Sequence, residues 1–311
     1  MRVTSQTLPE SLLNNLQRLG QQQYQLQNEA ASGKKAEALE KSPSSIRRLI
    51  NIQADTQTIK QYQKNVDHAT ELATENYRVI RSLKTVSDRA SEIAVKADSL
   101  SEASTLGHYS QEINQLLEEA LGQANAGHRN QYLFAGTGSG IPPFVAQRDA
   151  EGRITGVEYR GNQSQTQTEI APGVAVEARI VGTNDGQDGP SGLLSDSRRG
   201  ADFFGHLVAL RDRLQAGDVE AIKNNSISDL EADEDNFLFH LSSVGSLQTR
   251  LETNRSRLHD EALDLESQSS QLTDADLATT LVSLNQAQTA YQAALQSGAQ
   301  MLRSSLMDYL R

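Results

Sequence analysis

The sequence contains no cysteine and no tryptophan. The absence of cysteine excludes disulfides, cysteine-ligated zinc, iron–sulfur clusters and thiol nucleophiles. Aromatic residues make up only 5% of the 311 residues, so the large rings that usually fill thick globular interiors are scarce. We therefore expect a lean core, built from leucine and alanine in layered helices.

Positive charge is also in short supply, because 29 Lys and Arg stand against 40 Asp and Glu, a formal net charge of −11. Nucleic acid and anionic lipid surfaces are bound through clustered Lys and Arg, so the composition argues against both partners. No stretch reaches the roughly 18 continuous apolar residues of a membrane span. The N-terminal region lacks the continuous apolar run of a secretory signal peptide, so we do not expect export by that route.

Apolar residues recur at alternating steps of four and three, the spacing of an apolar stripe along a helix. The stripes predict an N-terminal helix that stops near Gly33 and a long helix that starts after Pro43, with Ser44 or Ser45 as N-cap. They also predict a long helix over 230–272.

Two further helices follow from the same spacing. A break over 101–108 precedes a short amphipathic helix over 113–124, which Gly127 closes and which forms a helical hairpin with the long helix before it. The stretch Thr273–Asp276 is typical of a capping box and predicts the start of a last helix, whose stripe runs from Leu277 to Leu302.

The middle of the chain has a different pattern. Tyr132–Ala135 and Ile141–Val145 flank a glycine-rich stretch, which predicts a strand, a turn and a second strand. Further strands are predicted at 154–160, 166–170 and 174–181, followed by a loop over 182–192 and a helix over 203–214 that ends at Gly217. The predicted fold is mainly α: long antiparallel helical rods, or a coiled coil, from both chain ends, with a central β-rich insertion.

This pattern divides the chain into five segments. They are an N-terminal assembly helix and turn (1–43), the first half of the helical rod (44–130), a β-rich insertion with a short helix (131–225), the second half of the rod (226–272) and a C-terminal assembly helix (273–311).

The two ends carry very little charge. Residues 277–302 contain no charged side chain, and residues 3–28 contain only Glu10 and Arg18. A solvated helix normally carries Glu and Lys on its outer face, so we expect both ends to be poorly ordered in the free monomer and to fold when neighbouring chains bury them. The predicted assembly interface comprises Leu12, Leu16, Leu19, Leu26, Leu277, Leu281, Leu284, Tyr291, Leu295, Leu302 and Leu306.

Several patterns imitate chemical sites without their context. The six histidines never fall at metal-ligand spacing. Gly136, Gly138 and Gly140 are followed by Pro142–Pro143 rather than by a helix, which favours a turn over a phosphate loop. The loop 184–189 lacks the acidic positions of a calcium site, and Ser32 with Lys35 lies in a helix stop. We predict no catalytic, cofactor-binding or metal-binding residue.

Several motifs resemble those of the flagellin-like axial proteins of the bacterial flagellum, and among them the hook–filament junction family. Near the N-terminus the resemblance lies in Met1–Gln6, Ala31–Lys35 and Gln61–Asn65, and near the C-terminus it lies in Leu272–Leu277, Tyr291–Leu295 and Ser305–Leu310. The motif most typical of the junction family is Tyr132, Leu133, Phe134, Ala135 and Gly136 with Pro143 and Phe144. The sequence departs from the family at Lys41–Ser45, where Asp-Asp-Pro is usual.

The resemblance implies a structural protein without enzymatic activity or a cofactor. It implies export in an unfolded state through the flagellar type III channel, a place in the extracellular flagellum, and assembly between hook-associated protein 1 and flagellin. Further implied partners are copies of the same chain in a junction ring and a flagellar export chaperone. Two alternatives stay open: a filament flagellin, and a cytoplasmic coiled-coil scaffold.

Overall fold

A computed structural model describes residues 7–35, 43–98, 103–138 and 140–309 of the chain. The chain divides into two compact units. Unit 1 consists of Met1–Lys60 with Asp260–Arg311, and unit 2 is the continuous stretch Gln61–His259. Unit 1 therefore takes its residues from both ends of the chain, and unit 2 from the middle.

Helices dominate the described residues, as the apolar stripes predict. They are α1 (Thr7–Ser32), α2 (Pro43–Asp98), α3 (Ala103–Ala124), α4 (Phe203–Ala216), α5 (Val219–Ala221), α6 (Ile227–Thr273) and α7 (Leu277–Tyr309). A π-helical turn over Ile222–Ser226 connects α5 to α6. The mainly α fold with long helices and a β-containing middle is thus confirmed.

Three predicted helix boundaries are wrong. Helix α2 already includes Pro43, whose fixed φ and missing N–H suit a first helical position, so neither Ser44 nor Ser45 is its N-cap. Helix α3 begins at Ala103, well before the predicted start, and Gly127 lies in a strand rather than at the helix end. Asp276, and not Thr273, caps α7: its carboxylate accepts hydrogen bonds from the amides of Ala278 and Thr279.

The β structure of unit 2 consists of small separate sheets. The strands are β1 (Gly127–His128), β2 (Gln131–Tyr132), β3 (Phe144–Arg148), β4 (Ile154–Tyr159), β5 (Gln167–Ala171), β6 (Val174–Glu177), β7 (Val181–Asn184), β8 (Gly192–Asp196) and β9 (Ala201–Asp202). Three antiparallel hairpins pair β1 with β2, β3 with β4, and β5 with β6, and β8 lies between a parallel β7 and an antiparallel β9.

The predicted hairpin between 132–135 and 141–145 does not form. Tyr132 pairs with Gly127 across a two-residue turn in which Arg129 and Asn130 both have positive φ, the geometry of a tight hairpin. Phe144 pairs instead with Tyr159 on β4. The predicted strand 174–181 is two strands, because the chain leaves the β5–β6 hairpin after Glu177 and enters a new sheet at Val181.

The helices of unit 2 pack around a continuous apolar core. Val66, Ile80, Leu83 and Ile93 on α2 and Phe237 on α6 are fully buried or nearly so. Helices α2 and α6 run antiparallel, because the side chain of Gln63 donates to the carbonyl of Leu258 while Lys84 pairs with Glu234.

The predicted hairpin of α2 and α3 is present in unit 2. The guanidinium of Arg89 on α2 contacts the carboxylate of Glu112 on α3 at 2.7 Å. Later in the same unit, Asp202 caps the N-terminus of α4. Gly217 ends this helix with a left-handed backbone, φ 70°, as the sequence predicts.

Candidate assembly surface

The first and last helices of the chain pack against each other within unit 1. A Cβ placed on Gly298 of α7 would lie 2.6 Å from Cδ2 of Leu12, and one placed on Gly20 of α1 would lie 3.8 Å from Cε2 of Tyr291. These two contacts run in opposite directions along the chain, so the helices are antiparallel. The glycines let the two backbones approach closely.

The stripe of α1 faces this contact. Leu12, Leu16, Leu19 and Leu26 are all half-buried. On α7, Thr280, Ala287 and Gly298 are buried, and Leu284, Tyr291 and Ala294 between them are half-buried. The face of α7 that covers α1 is therefore built largely from small residues.

Other predicted interface residues of α7 lie at the edge of that face and stay exposed. Leu277, Leu281 and Leu295 are 49%, 50% and 46% exposed, and the neighbouring Val282 is exposed as well. Helix α7 thus carries an apolar strip beside the face that packs on α1, and this strip is uncovered in the single chain. Leu302 and Leu306 lie within α7, but their side chains fall outside the described part of the structure.

Uncovered apolar side chains are concentrated in unit 1. Of the fourteen exposed large apolar residues among those the structure describes, nine belong to unit 1, although unit 2 is the longer unit. The nine are Leu13, Tyr24, Ile46, Ile50, Leu263, Leu277, Leu281, Val282 and Leu295. Exposed large apolar side chains are therefore more frequent in unit 1 than in unit 2.

Two loops of unit 1 hold the ends of its helices together. Lys34 and Asp274 form an isolated antiparallel bridge, in which the amide of Lys35 donates to the carbonyl of Thr273 and the amide of Ala275 donates to the carbonyl of Gly33, each at 2.8 Å. Both segments belong to the motifs that carry the family resemblance. The motif Met1–Gln6 lies outside the described residues, and so do the first two residues of the departure at Lys41–Ser45.

The motif around Phe134 is a buried segment of unit 2 that contacts two strands. Leu133, Phe134, Ala135 and Gly136 are buried, and Tyr132 is half-buried. The carbonyl of Phe134 accepts hydrogen bonds from the amide of Gly182 and from the Tyr159 hydroxyl, at 3.1 and 2.9 Å. This motif therefore joins β7 and β4 to the end of the α3 segment.

The second half of the motif, Pro143 and Phe144, is buried too. The side chain of Asn125, just after α3, holds both the amide and the carbonyl of Phe144. The Phe144 ring packs on Tyr159 and Phe204 with centroid distances of 5.1 and 5.8 Å. In this structure the motif residues have a packing role, since they connect the β-containing middle to the helices.

A buried polar cluster connects α6 to the strands of unit 2. Asn236 donates to the carbonyls of Gly192 and Leu193, and the ring of His240 lies 3.1 Å from the same Gly192 carbonyl. Burial lowers the pKa of His240. Sequence patterns did not single out these residues, because a polar side chain on the apolar stripe of a helix has no signal of its own.

A second buried polar contact of α6 pairs Asp233 with His206. Oδ2 of Asp233 lies 2.8 Å from Nδ1 of His206, and Oδ1 accepts from the amide of Asp202. Burial raises the pKa of Asp233 to about 6. Burial alone would lower the pKa of His206, but the hydrogen bond and charge of Asp233 raise it. This pair connects the N-cap of α4 to α6, within unit 2.

Chemical sites are not apparent in the described residues. No group of three or more His, Asp or Glu side chains there is arranged to hold a metal ion, and no described helix is long and apolar enough to cross a membrane. Asn184 begins the loop 184–189, which we compared above with a calcium site. Its buried side chain donates to the carbonyls of Asp188 and Pro190 and so holds the loop in shape.

The family of known proteins that matches is the bacterial flagellin C-terminal helical region, over residues 239–310. Comparison with curated protein sequences gives no match. The match and the fold together confirm the resemblance to the flagellin-like axial proteins.

Solved structures with the same fold are flagellar hook-associated proteins. A Vibrio parahaemolyticus protein described as a flagellar hook-associated protein is 15% identical, with 75% of this chain and 99% of that chain covered and a TM-score of 0.62. FlgL of Bacillus cereus is 18% identical, with 71% and 99% covered and a TM-score of 0.57. Flagellar hook-associated protein 3 of Legionella pneumophila is 13% identical, with 71% and 98% covered and a TM-score of 0.59.

Proposed function

We propose that this chain is a structural adaptor of the bacterial flagellum, which joins hook-associated protein 1 to the flagellin filament. The observation that carries the proposal is the apolar strip of α7 formed by Leu277, Leu281 and Leu295, which lies beside the covered face and remains exposed after α1 has packed. The fold shared with flagellar hook-associated proteins supports the same role.

The energetics of the uncovered face favour an assembled state. Full burial of a leucine is worth roughly 1.5–3 kcal/mol before the entropy of ordering is subtracted. The absence of charge over residues 277–302 fits this environment, because a like charge repeated on every copy would be desolvated without a counter-charge. We propose that Leu12, Leu16, Leu19, Leu26, Leu284, Tyr291, Leu302 and Leu306 complete this interface, as copies of the chain and the neighbouring axial proteins pack together.

The resemblance to flagellar axial proteins also implies a route by which the chain reaches the flagellum. We propose that it makes and breaks no covalent bond, that an export chaperone delivers it, and that it leaves the cell through the flagellar type III channel. The terminal helices would then complete their folding on insertion. Folding on assembly also restrains premature polymerisation in the cell.

A deletion strain tests this function. We expect cells that lack the chain to lose motility and to shed flagellin into the medium without filaments, and sheared flagella of the complemented strain to contain the chain. Motile deletion cells with normal filaments would contradict the proposal.

The alternative is a filament flagellin. The match to the flagellin C-terminal helical region supports it, over residues 239–310 alone. The two functions differ in what the purified chain does. A flagellin forms long filaments by itself, whereas a junction adaptor binds hook-associated protein 1 and does not elongate. Electron microscopy of the purified chain, alone and with hook-associated protein 1, separates them.

A further inference from the structure

A groove with an unusual charge lies on unit 2. Between the β5–β6 hairpin and α6 there is a cavity of about 550 Å³, whose lining includes Arg179, Phe239, Ser246 and Arg250. A second cavity of about 440 Å³ shares Ser246 and Arg250 and continues along α6 to Thr253 and Arg257. We call these two neighbouring cavities together, from Phe239 to Arg257, the arginine trench.

Most arginines of unit 2 are paired with a carboxylate, but those of the trench are not. Ten of the fifteen arginines in residues 61–259 form a salt bridge within the described structure. The other five are Arg81, Arg179, Arg199, Arg250 and Arg257. Unpaired arginine is therefore concentrated at one place, since four of these five lie in or beside the trench.

None of the four trench arginines has a salt-bridge partner in the described structure, although Asp260 and Glu261 follow Arg257 by three and four residues on the same helix. Arg179 donates to the side-chain oxygen of Gln131, and the guanidinium of Arg199 lies 3.6 Å from the centroid of the Phe239 ring. Glu177 also lines the trench, and its carboxylate accepts from Gln167. In a chain with a net charge of −11, four guanidinium groups around one groove form a local positive region.

The same chain carries a segment of opposite charge. Asp260, Glu261, Asp264 and Glu266 are exposed on the last part of α6, and no described cation pairs with them. Leu263, between them, is 50% exposed. The segment thus offers four carboxylates around an apolar side chain, and the trench offers arginines around a partly exposed Phe239 together with Val244 and Leu247.

We propose that the arginine trench of one copy binds the acidic segment Asp260–Glu266 of a second copy. Guanidinium groups bind carboxylates through paired, charge-assisted hydrogen bonds, and Leu263 of the second copy packs against Phe239. The inference rests on the proposed function in taking a second copy as the partner. It adds a contact between unit 2 of one copy and the segment Asp260–Glu266 in unit 1 of the other, separate from the leucines of the terminal helices.

A cysteine cross-linking experiment tests the contact, because the natural chain has no cysteine. One full-length sample carries Ser246→Cys in the trench and another carries Leu263→Cys in the acidic segment. The two are mixed at high concentration and low salt with a short bismaleimide. We expect a cross-linked heterodimer whose yield falls as salt is added, since screening weakens the contact between exposed charges.

Charge exchange provides the decisive comparison. Arg250→Glu with Arg257→Glu in the trench sample should lower the yield roughly tenfold or more, and so should Asp260→Lys with Glu261→Lys and Asp264→Lys in the other sample. Mixing the two reversed samples should restore the yield. Arg81→Glu, which reverses the unpaired arginine outside the trench, is the matched control and should change nothing.

Two results would overturn the proposal: no heterodimer from the unreversed pair, or a yield that the reversals leave unchanged or their combination does not restore. Circular dichroism on every variant ensures that the comparison is made between folded chains. If cross-linking fails while the chain is still found in sheared flagella, the trench contact is wrong and the junction role stands. Absence from the flagella would contradict the junction role itself.

Discussion

The backbone amide of Lys35 donates a 2.8 Å hydrogen bond to the carbonyl of Thr273, and so joins the loop after the first helix to the loop before the last. The return bond from the amide of Ala275 to Gly33 completes the pair. This geometry needs a left-handed backbone at Gly33, whose φ is 70°.

Gly33→Val should therefore loosen the loop pair. A β-branched residue at positive φ is strained by about 1–3 kcal/mol, whereas nothing in the surroundings would obstruct the side chain itself. Amide hydrogen exchange at Lys35 and Ala275 should become faster. Gly33→Asn is the control, because asparagine tolerates this backbone region, and equal exchange in both variants would show that φ is not the constraint.

Leu295→Asp should leave the melting temperature of the single chain nearly unchanged and prevent assembly. The side chain is 46% exposed in the single chain, so the carboxylate stays in water there, but burial against neighbours would cost several kcal/mol. Val86→Asp is the contrasting variant. Val86 is 2% exposed, and its replacement by a carboxylate should lower the free energy of unfolding by more than about 2 kcal/mol. Comparable thermal losses in the two variants would mean that Leu295 is already packed.

Gly136→Ala should destabilise unit 2 by more than about 2 kcal/mol. Its φ is 66°, and a Cβ there would lie 2.2 Å from the carbonyl oxygen of Asn162. Gly140→Ala, in the same glycine-rich stretch, has open space around the added carbon and should remain within about 0.5 kcal/mol of the natural chain. Urea unfolding compares the free energies of the two variants. A smaller loss at Gly136 than at Gly140 would contradict the close packing of Gly136 against Asn162.

The pair of Asp233 and His206 should make stability depend on pH. Both pKa values are raised in the folded state, so the folded chain binds these protons more tightly than the unfolded chain. Their contribution is full below pH 3.8. For Asp233 it is lost as the pH rises through about 6, and for His206 as the pH rises above 6.5.

Asp233→Asn should remove this dependence, because it removes the carboxylate and the charge that raises the pKa of His206. The measurement is the difference in unfolding free energy between the natural chain and the variant from pH 4 to pH 8. His240 contributes with the opposite sign, since its pKa is lowered, but it is present in both chains and cancels. A difference that does not change with pH would show that the pair is not coupled to folding.

The sequence predicts the long helices well and their contacts less well. The spacing of apolar residues locates α1, α6 and α7, because a helix that must cover a core repeats every three to four residues. It does not say which of two overlapping stripes on α7 meets α1: the small residues Ala287 and Ala294 take that place, and Leu281 and Leu295 remain outside. Close packing of two helices favours small side chains, which a search for leucines overlooks.

The sequence predicts the positions of the strands more accurately than the pairing between them. Residues 154–159 and 167–171 are strands as expected, but Tyr132 pairs backwards with Gly127. Asn130 suits the left-handed backbone of this turn, but Arg129 before it does not, so the pair is not a recognisable two-residue turn sequence. Buried polar residues such as Asn236 were missed for a similar reason, since their partners are carbonyls far along the chain.

The contact between Leu12 and Gly298 joins residues from opposite ends of the sequence and sets an order for folding. During synthesis, α1 is made first and its partner α7 last, so unit 1 cannot close before the chain is complete. Unit 2 is continuous in sequence and can form its core earlier, with shorter loops to close. A chain that stops before α7 would therefore leave the apolar stripe of α1 without its intramolecular cover.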